Sequence, residues 1–188
     1  MGNNDYAAAL MSLLLGPCTP QGLDANRHAV FSAIPELSGS VGLKQNNPYH
    51  NRDLWQHTVY AVSQVPQELP LRMAALLHDV GKIQTRTTDE KGIDHFYGHA
   101  QKSVHIAAEV LKRLGVSKAE AEEILSLIAL HDIDIELGTP TWHRMKKQYS
   151  ASFLSKLLLL KRADILAQNP EKLGCRLADL QTLRVDLL

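Results

Sequence analysis

A histidine and an aspartate stand side by side at the end of an apolar run in this sequence. The stretch LLHDVGK places His78 and Asp79 directly after Leu76 and Leu77. Two titratable side chains are expensive to bury there, because an ionised group loses its hydration unless it is paired or bound to a cation. The pair therefore predicts that further polar residues of this chain belong with it.

Other histidines and aspartates fall on the apolar faces of predicted helices. His57 follows Leu54 by three residues, and Asp164 follows Leu160 by four, so each shares a helix face with apolar neighbours. Considered alone, Asp164 could equally form a salt bridge with a nearby Arg or Lys. Each histidine alone could be a hydrogen-bonded residue of the core. Together, five inward polar residues on four predicted helices favour one shared cation. The five are His57, His78, Asp79, His131 and Asp164.

The types of these residues indicate which metals would bind. Imidazole and carboxylate groups without a thiolate suit Mn, Fe, Co, Ni or Zn better than Mg or Ca. Adjacent His78 and Asp79 point about 100° apart on a helix, so they would meet an ion from two directions at the helix end. His99 opens a helix near the edge of its predicted core face and can reach inward, whereas His105 projects to the opposite side. That face comprises Val104, Ala107, Ala108, Leu111 and Leu114.

The elements that must position these residues are helical almost throughout. Apolar periodicity predicts helices near 5–15, 21–34, 52–64, 68–79, 99–114, 117–131, 141–147, 150–168 and 171–186. The segment 85–96 is instead typical of a β-hairpin around Glu90-Lys91-Gly92. The prediction is an all-α single domain, a helical bundle with one small hairpin. We divide it into an N-terminal helical segment (1–48) packed on the core, a metal-binding domain (49–170) and a C-terminal helix (171–188).

Composition narrows the classes of function. Lys and Arg together number 20, as do Asp and Glu, and this balance argues against a broad nucleic-acid-binding face. Cys18 and Cys175 lie far apart, which indicates neither a disulfide framework nor a cysteine zinc site. No apolar run is long enough to predict a membrane span. We expect a cytoplasmic protein with no membrane partner.

The order His57, His78-Asp79, Asp164 resembles the signature of the HD-domain metal-dependent phosphohydrolase superfamily, whose fold is a helical bundle. Four longer stretches are similar to the HD region of bacterial CCA-adding tRNA nucleotidyltransferases: QNNPYHNRDLWQHT, LPLRMAALLHDVGK, DHFYGHAQKS and KRADILAQNP. The similarity covers roughly residues 10–175. The nucleotidyltransferase head of that family pairs Gly-Ser with a nearby DxD. Here Gly39-Ser40 and Asp132-Ile133-Asp134 are far apart, so we expect neither a head domain nor CCA addition.

The resemblance implies a role for each candidate site residue. His57, His78, Asp79 and Asp164 match the four ligands of a first metal. His99 and His131 match positions that hold a second ion, with Asp79 bridging, or that face the substrate phosphate. Lys82 matches a position that often contacts phosphate. His50 could either support the metal ligands from a neighbouring position or have a purely structural role.

The function implied by the resemblance is hydrolysis of a small phosphoester by a metal-activated water, with one or two ions. Asp79, Lys82, His99 and His131 would be the catalytic residues. A 2′,3′-cyclic nucleotide or a nucleoside phosphate is the expected substrate, and an RNA 3′-end is a further candidate. Two alternatives stay open: a di-iron oxygenase of the same fold, and a non-catalytic metal-stabilised module that binds tRNA or a protein.

Overall fold

The computed structural model describes residues 3–187, and it confirms an all-α fold with one small hairpin. Its helices are α1 (Asn3–Leu15), α2 (Pro20–Ala25), α3 (Arg27–Ala33), α4 (Leu54–Gln64), α5 (Leu69–Leu77), α6 (Lys82–Thr85), α7 (His99–Arg113), α8 (Lys118–Leu130), α9 (Pro140–Gln148), α10 (Ala151–Ala167) and α11 (Arg176–Val185). Short 3-10 helices cover Pro35–Ser40 and Pro170–Lys172. Strands β1 (Thr87–Thr88) and β2 (Asp94–His95) pair antiparallel.

The centre of the bundle is built from α4, α5, α8 and α10. Helix α4 packs between α5 and α10, α8 packs on α5 and α10, and α7 lies against the outer side of α8. The core is mainly aliphatic, with two fully buried indoles whose N–H groups donate to carboxylates. Trp55 Nε1 donates to Asp24 at 2.8 Å and Trp142 Nε1 to Asp186 at 2.6 Å. None of the described helices combines the length and the apolar content needed to cross a membrane.

Both chain ends pack on this centre. Helix α1 lies against α3 and α5, and α11 lies against α10. The guanidinium of Arg72 on α5, only 6% exposed, donates to the carbonyls of Leu14 and Gly16, the latter at 2.7 Å. A buried cation bonded to the end of α1 fixes that helix to the core.

The predicted helix over 21–34 is wrong in one respect, because it is divided at Asn26 into α2 and α3. The side-chain amide of Asn26 donates to the carbonyl of Gly22 at 2.8 Å, and its backbone leaves the helical region at φ −99° and ψ 14°. Asparagine competes in this way with the helix for backbone partners. The apolar periodicity continues across the break and conceals it.

The predicted core face of α7 is also shifted. The buried residues of this helix are Ser103, Ile106, Ala107, Val110 and Leu111, whereas Val104, Ala108 and Leu114 are only partly buried. Helix α7 is covered mainly by α8 and by α6, not from all sides. The rotation leaves His105 exposed, as expected, and His99 partly buried.

A capping box fixes the start of α4, the helix that carries His57. Asp53 Oδ1 accepts the backbone N–H of Gln56 at 2.7 Å, and Gln56 Oε1 accepts the N–H of Asp53 at 3.3 Å. The second oxygen of Asp53 accepts the N–H of Gly42 at 2.9 Å. His57 lies one turn after this cap, so the cap also fixes the position of its backbone.

The hairpin is tied to the segment that precedes α4. Thr87 pairs with His95 and Thr88 with Asp94. The Asp94 carboxylate accepts the backbone N–H of Asn46 at 3.0 Å, and the Asp94 N–H donates to the Asn46 carbonyl at 3.1 Å. This reciprocal pair fixes the distance between the hairpin and residues 44–53.

The end of α5 passes very close to α7 at Gly81. The Gly81 N–H donates to Ser103 Oγ at 2.9 Å. A Cβ at this position would collide with the His99 carbonyl oxygen and would lie 2.7 Å from Ser103 N. Since φ here is an ordinary −65°, the lack of a side chain, and not the backbone angle, explains the glycine.

We expect Gly81→Ala to lower the free energy of unfolding by about 2 kcal/mol, because α7 must move away to admit the methyl group. Thermal denaturation followed by circular dichroism would measure the change. Ser103→Ala is the matched control: it removes the hydrogen bond but leaves the space, and should cost about 1 kcal/mol. An unchanged midpoint for Gly81→Ala would contradict the close approach.

Candidate metal centre

The structure brings together all six side chains that were predicted to bind metal. They lie at or near helix ends: His57 in α4, His78 and Asp79 after α5, His99 at the start of α7, His131 after α8 and Asp164 in α10. His57, His78, Asp79 and His131 are buried, whereas the side chains of His99 and Asp164 keep 12% and 19% of their exposure. The site thus opens to solvent on the side of these two residues.

Four of the residues form a first set around one point. His57 Nε2 lies 3.1 Å from Asp164 Oδ1 and 3.4 Å from His78 Nε2. Asp79 Oδ2 lies 3.2 Å from His78 Nε2 and 3.5 Å from His57 Nε2. Four donor atoms at these separations can share one ion.

The second set uses the other oxygen of the same aspartate. Asp79 Oδ1 lies 3.4 Å from His99 Nε2 and 3.6 Å from His131 Nε2, and the two imidazole nitrogens are 3.3 Å apart. The three atoms can also converge on one point. Asp79 therefore contributes one oxygen to each set.

Backbone carbonyls orient all four imidazoles in the same way, because each contacts the Nδ1 atom of its ring. Nδ1 of His78 lies 2.9 Å from the Ala75 carbonyl, that of His131 2.7 Å from Ile128, and that of His99 3.0 Å from Phe96. His57 Nδ1 lies 3.3 Å from the carbonyl of Ala167, on another helix. A carbonyl can only accept, so each Nδ1 carries a proton, and this contact directs the Nε2 atom of each ring to the centre.

The Asp79 carboxylate lacks the partners that a buried anion requires. Its side chain is 1% exposed, and neither oxygen accepts a hydrogen bond of acceptable geometry from any described residue. The Lys82 ammonium lies 2.8 Å from Oδ2 and forms an ion pair with it, but this contact lacks hydrogen-bond geometry. Oδ1 has no hydrogen-bond donor among the described residues. Desolvation of such a group is costly unless a cation compensates it.

These observations fit a divalent transition metal. The Nε2 atoms of four imidazoles and the oxygens of two carboxylates all face the centre, and the two carboxylates repel each other unless positive charge lies between them. Nitrogen and oxygen donors with the imidazoles held by backbone carbonyls are typical of metal sites. Among the described residues this donor set contains no thiolate.

The two carboxylates create a strong demand for positive charge at the centre. Burial disfavours protonation of His78, but the Asp79 and Asp164 carboxylates outweigh it and raise the pKa of His78 to about 10. Burial also opposes ionisation of Asp79, yet His78 and Lys82 hold its pKa well below the usual range. A proton on His78 and a metal ion would therefore compete, because each would neutralise the same two carboxylates.

Sequence reasoning missed three residues that support the ligands. Gln45 Oε1 accepts from Lys82 Nζ at 2.9 Å. Arg52 donates to the carbonyls of Ala167 at 2.9 Å and Gln168 at 3.2 Å, which holds the end of α10 beside His57. Lys161 Nζ donates to the carbonyl of His131 at 2.6 Å. Gln45 and Arg52 belong to the stretch QNNPYHNRDLWQHT, and this was the only signal for either.

His50 lies beside the ligands. Its ring is 5.2 Å from that of His57 in an edge-on arrangement, and its Nδ1 is 3.2 Å from Gln45 Nε2. Burial and the Lys82 charge lower the pKa of His50 to about 3, so the ring is neutral. The geometry supports the first of the two roles considered for it.

The remaining histidines stay outside the two sets. His28 and His143 are exposed. His95 bonds Asp89 within the hairpin at 3.1 Å and stacks on Tyr97 with ring centroids 5.3 Å apart. These contacts give His95 a place on the hairpin surface.

The chain is similar to two tRNA nucleotidyltransferases and to multifunctional CCA proteins. It is 38% identical to the CC-adding tRNA nucleotidyltransferase of Thermus thermophilus, over 65% of this chain and 30% of that protein. It is 32% identical to the A-adding tRNA nucleotidyltransferase of Deinococcus radiodurans, over 54% and 25%. The multifunctional CCA protein of Cupriavidus metallidurans is 30% identical, over 77% and 32%.

In each case the matched region is a quarter to a third of the relative's length. The sequence of the chain also matches the HD domain family over residues 55–169, more than half of its length. That range includes His57, His78, Asp79, His99, His131 and Asp164. The chain belongs to the HD domain family.

Proposed function

We propose that this protein is a metal-dependent phosphohydrolase acting on a small phosphoester. The observation that carries the proposal is the buried Asp79 carboxylate, whose two unbonded oxygens belong to two separate sets of imidazoles. His57, His78, Asp79 and Asp164 would hold a first ion; His99 and His131, with Asp79, would hold a second or face the phosphate. We expect Mn, Fe, Co, Ni or Zn, because no thiolate takes part and imidazole predominates.

A bound divalent ion supplies Lewis acidity at the phosphoryl oxygens and lowers the pKa of an attacking water. The residues of the chain supply orientation and charge. His99 is the more exposed of the second set and would meet the substrate first. Lys82 neutralises Asp79 and would place its ammonium beside the phosphoryl oxygens, held in direction by Gln45.

The substrate that we favour is a 2′,3′-cyclic nucleotide or a nucleoside phosphate, with an RNA 3′-end as a second candidate. Relatives of the chain are named for tRNA nucleotidyl transfer, which supports a ligand of nucleotide chemistry. The balanced charge of 20 basic and 20 acidic residues supports a small substrate over a long RNA.

A di-iron oxygenase is the second candidate, favoured by the same bridging geometry. Four imidazoles and a carboxylate with one oxygen in each set would also suit two iron ions. Turnover that requires O₂ would support the oxygenase, whereas equal phosphoester hydrolysis in air and under nitrogen would support the phosphohydrolase. Metal-dependent thermal stability without any turnover would instead support a non-catalytic tRNA- or protein-binding module.

We expect Asp79→Asn to lose bound metal and phosphoester hydrolysis together, because both sets lose a charged ligand. Elemental analysis of the purified variant and a panel of cyclic and linear phosphoesters would measure the two losses. Glu109→Gln is the control, since this exposed carboxylate of α7 belongs to neither set. Wild-type metal content and activity in Asp79→Asn would contradict the assignment.

Metal binding at pH 7 should release about one proton, because the His78 pKa of about 10 leaves its ring protonated in the metal-free protein. Below that pH the apparent affinity for Mn²⁺ should therefore rise as pH rises. Titration calorimetry in buffers of different ionisation enthalpy would count the protons. An enthalpy that is independent of buffer would show that His78 does not exchange a proton for the ion.

Lys82→Met should retain metal but lose about 10²-fold in kcat, as when one charge-stabilising donor is removed. The variant removes the ammonium from Asp79 and makes the centre more negative, so cation affinity should not fall. Metal content and kcat measured on the same sample separate the two roles. Loss of metal together with activity would instead make Lys82 a residue that only supports the ligand set.

A further inference from the structure

Two cavities meet beside the metal centre at one arginine. The inner cavity, about 230 Å³, is lined by His131 and by two cations, Lys161 and Arg176. Carboxylates outnumber these cations in its lining: Asp132, Asp134, Glu136, Asp164 and Asp179. The outer cavity, about 560 Å³, lies between the turn before α4 and the hairpin. Its lining includes Tyr49, His50, Ile93, His95, Gln168 and Arg176. Arg176 borders both, so a ligand that occupies the two cavities must pass its guanidinium.

The outer cavity is separated from the first metal set by single side chains. Gln168 Nε2 lies 3.4 Å from Asp164 Oδ2, and the ring of His50 is 5.2 Å from that of His57. A group bound in the outer cavity thus lies one residue away from the ligands. The anionic part of such a ligand would lie at Arg176, which lines the outer cavity as well as the inner one.

Arg176 is placed to bind an anion between the cavities. Its Nη1 donates to Gln168 Oε1 at 2.6 Å, and among the described residues this is its one hydrogen-bonding partner. A guanidinium has five N–H donors, so others stay free for a phosphate. Lys161, the other cation of the inner cavity, already donates to the carbonyls of His131 and Ile133.

The walls of the outer cavity suit a planar, partly apolar group. Tyr49 is 53% exposed and Ile93 is 37% exposed, although both are large hydrophobic residues. The Tyr49 carbonyl accepts the N–H of Asn169 at 2.8 Å, which fixes its backbone while the ring stays open to solvent. An aromatic ring and an aliphatic side chain beside amide and imidazole groups are what a nucleobase binds through stacking and edge hydrogen bonds.

We propose that the outer cavity binds the nucleobase of a nucleotide whose phosphate is held by Arg176. The inference rests on the proposed function and deepens it, because it makes the base, and not only the phosphoester, a determinant of recognition. Two sources share this chemistry, a free mononucleotide and the terminal nucleotide of an RNA. Helix α11, which carries Arg176, thereby becomes part of the substrate site.

The test is direct binding of adenosine 5′-monophosphate and ribose 5-phosphate, which differ only in the base, measured by titration calorimetry on the purified protein. Tyr49→Ala should weaken binding of the nucleotide about 10-fold or more and leave ribose 5-phosphate unchanged. Arg176→Met should weaken both ligands by the same factor. Leu137→Ala, an exposed apolar residue outside the cavity lining, and Arg184→Met, an exposed arginine on the same helix, should change neither.

Equal affinity of the wild-type protein for the two ligands would overturn the proposal, and so would an equal effect of Tyr49→Ala on both. A tetranucleotide RNA measured in parallel assigns the source: tighter binding than the mononucleotide, still weakened by Tyr49→Ala, points to an RNA end. The results of this test can be distinguished from those that test the proposed hydrolase activity. Base-dependent binding without hydrolysis of any phosphoester overturns only the hydrolase, and hydrolysis without base preference overturns only the outer-cavity assignment.

Discussion

Everything at the centre of this protein depends on one buried carboxylate that the protein alone does not satisfy. Asp79 is held at 1% exposure by the turn that ends α5, and each of its oxygens faces a different group of imidazoles. A lysine pairs with one oxygen without hydrogen-bond geometry. The helices α4, α5, α7, α8 and α10 therefore converge on a point of concentrated negative charge, which a proton on His78 or a bound cation can neutralise.

Gly81 and Asp53 show how the backbone meets this constraint. The glycine lets α7 approach the HDVGK turn closely enough for His99 to reach Asp79 Oδ1. The capping box of Asp53 fixes the first turn of α4, so that His57 enters the core at a defined angle. Neither residue belongs to the two sets, but Gly81 limits the position of His99 and Asp53 limits that of His57. The donor atoms in the two sets consequently lie within a few ångströms of one another.

Much of the site could be predicted because its signals are local. A histidine or aspartate on an apolar helix face is visible in the sequence, and this was enough to select His57, His131 and Asp164. The support of Lys82 by Gln45 was not visible, because that contact spans 37 positions and depends on tertiary packing. The break at Asn26 was hidden for a different reason: a side chain outcompetes the helix at one residue while the apolar pattern continues. The face of α7 was misjudged because periodicity cannot say which neighbours will cover a helix.

The carbonyls that brace the imidazoles have a consequence for the order in which the centre is assembled. His78, His99 and His131 are each held by the carbonyl three residues earlier, so a single turn of chain orients them without help from the rest of the protein. His57 is the exception, since its brace is Ala167 at the far end of α10. During folding, three of the four rings can adopt their final direction as soon as their own turns form. The fourth waits for two helices separated by about a hundred residues of chain to dock, and loop closure of that length is slow and entropically costly. Docking of α4 against α10 is thus the step that brings His57 to the other three candidate ligands of the first set.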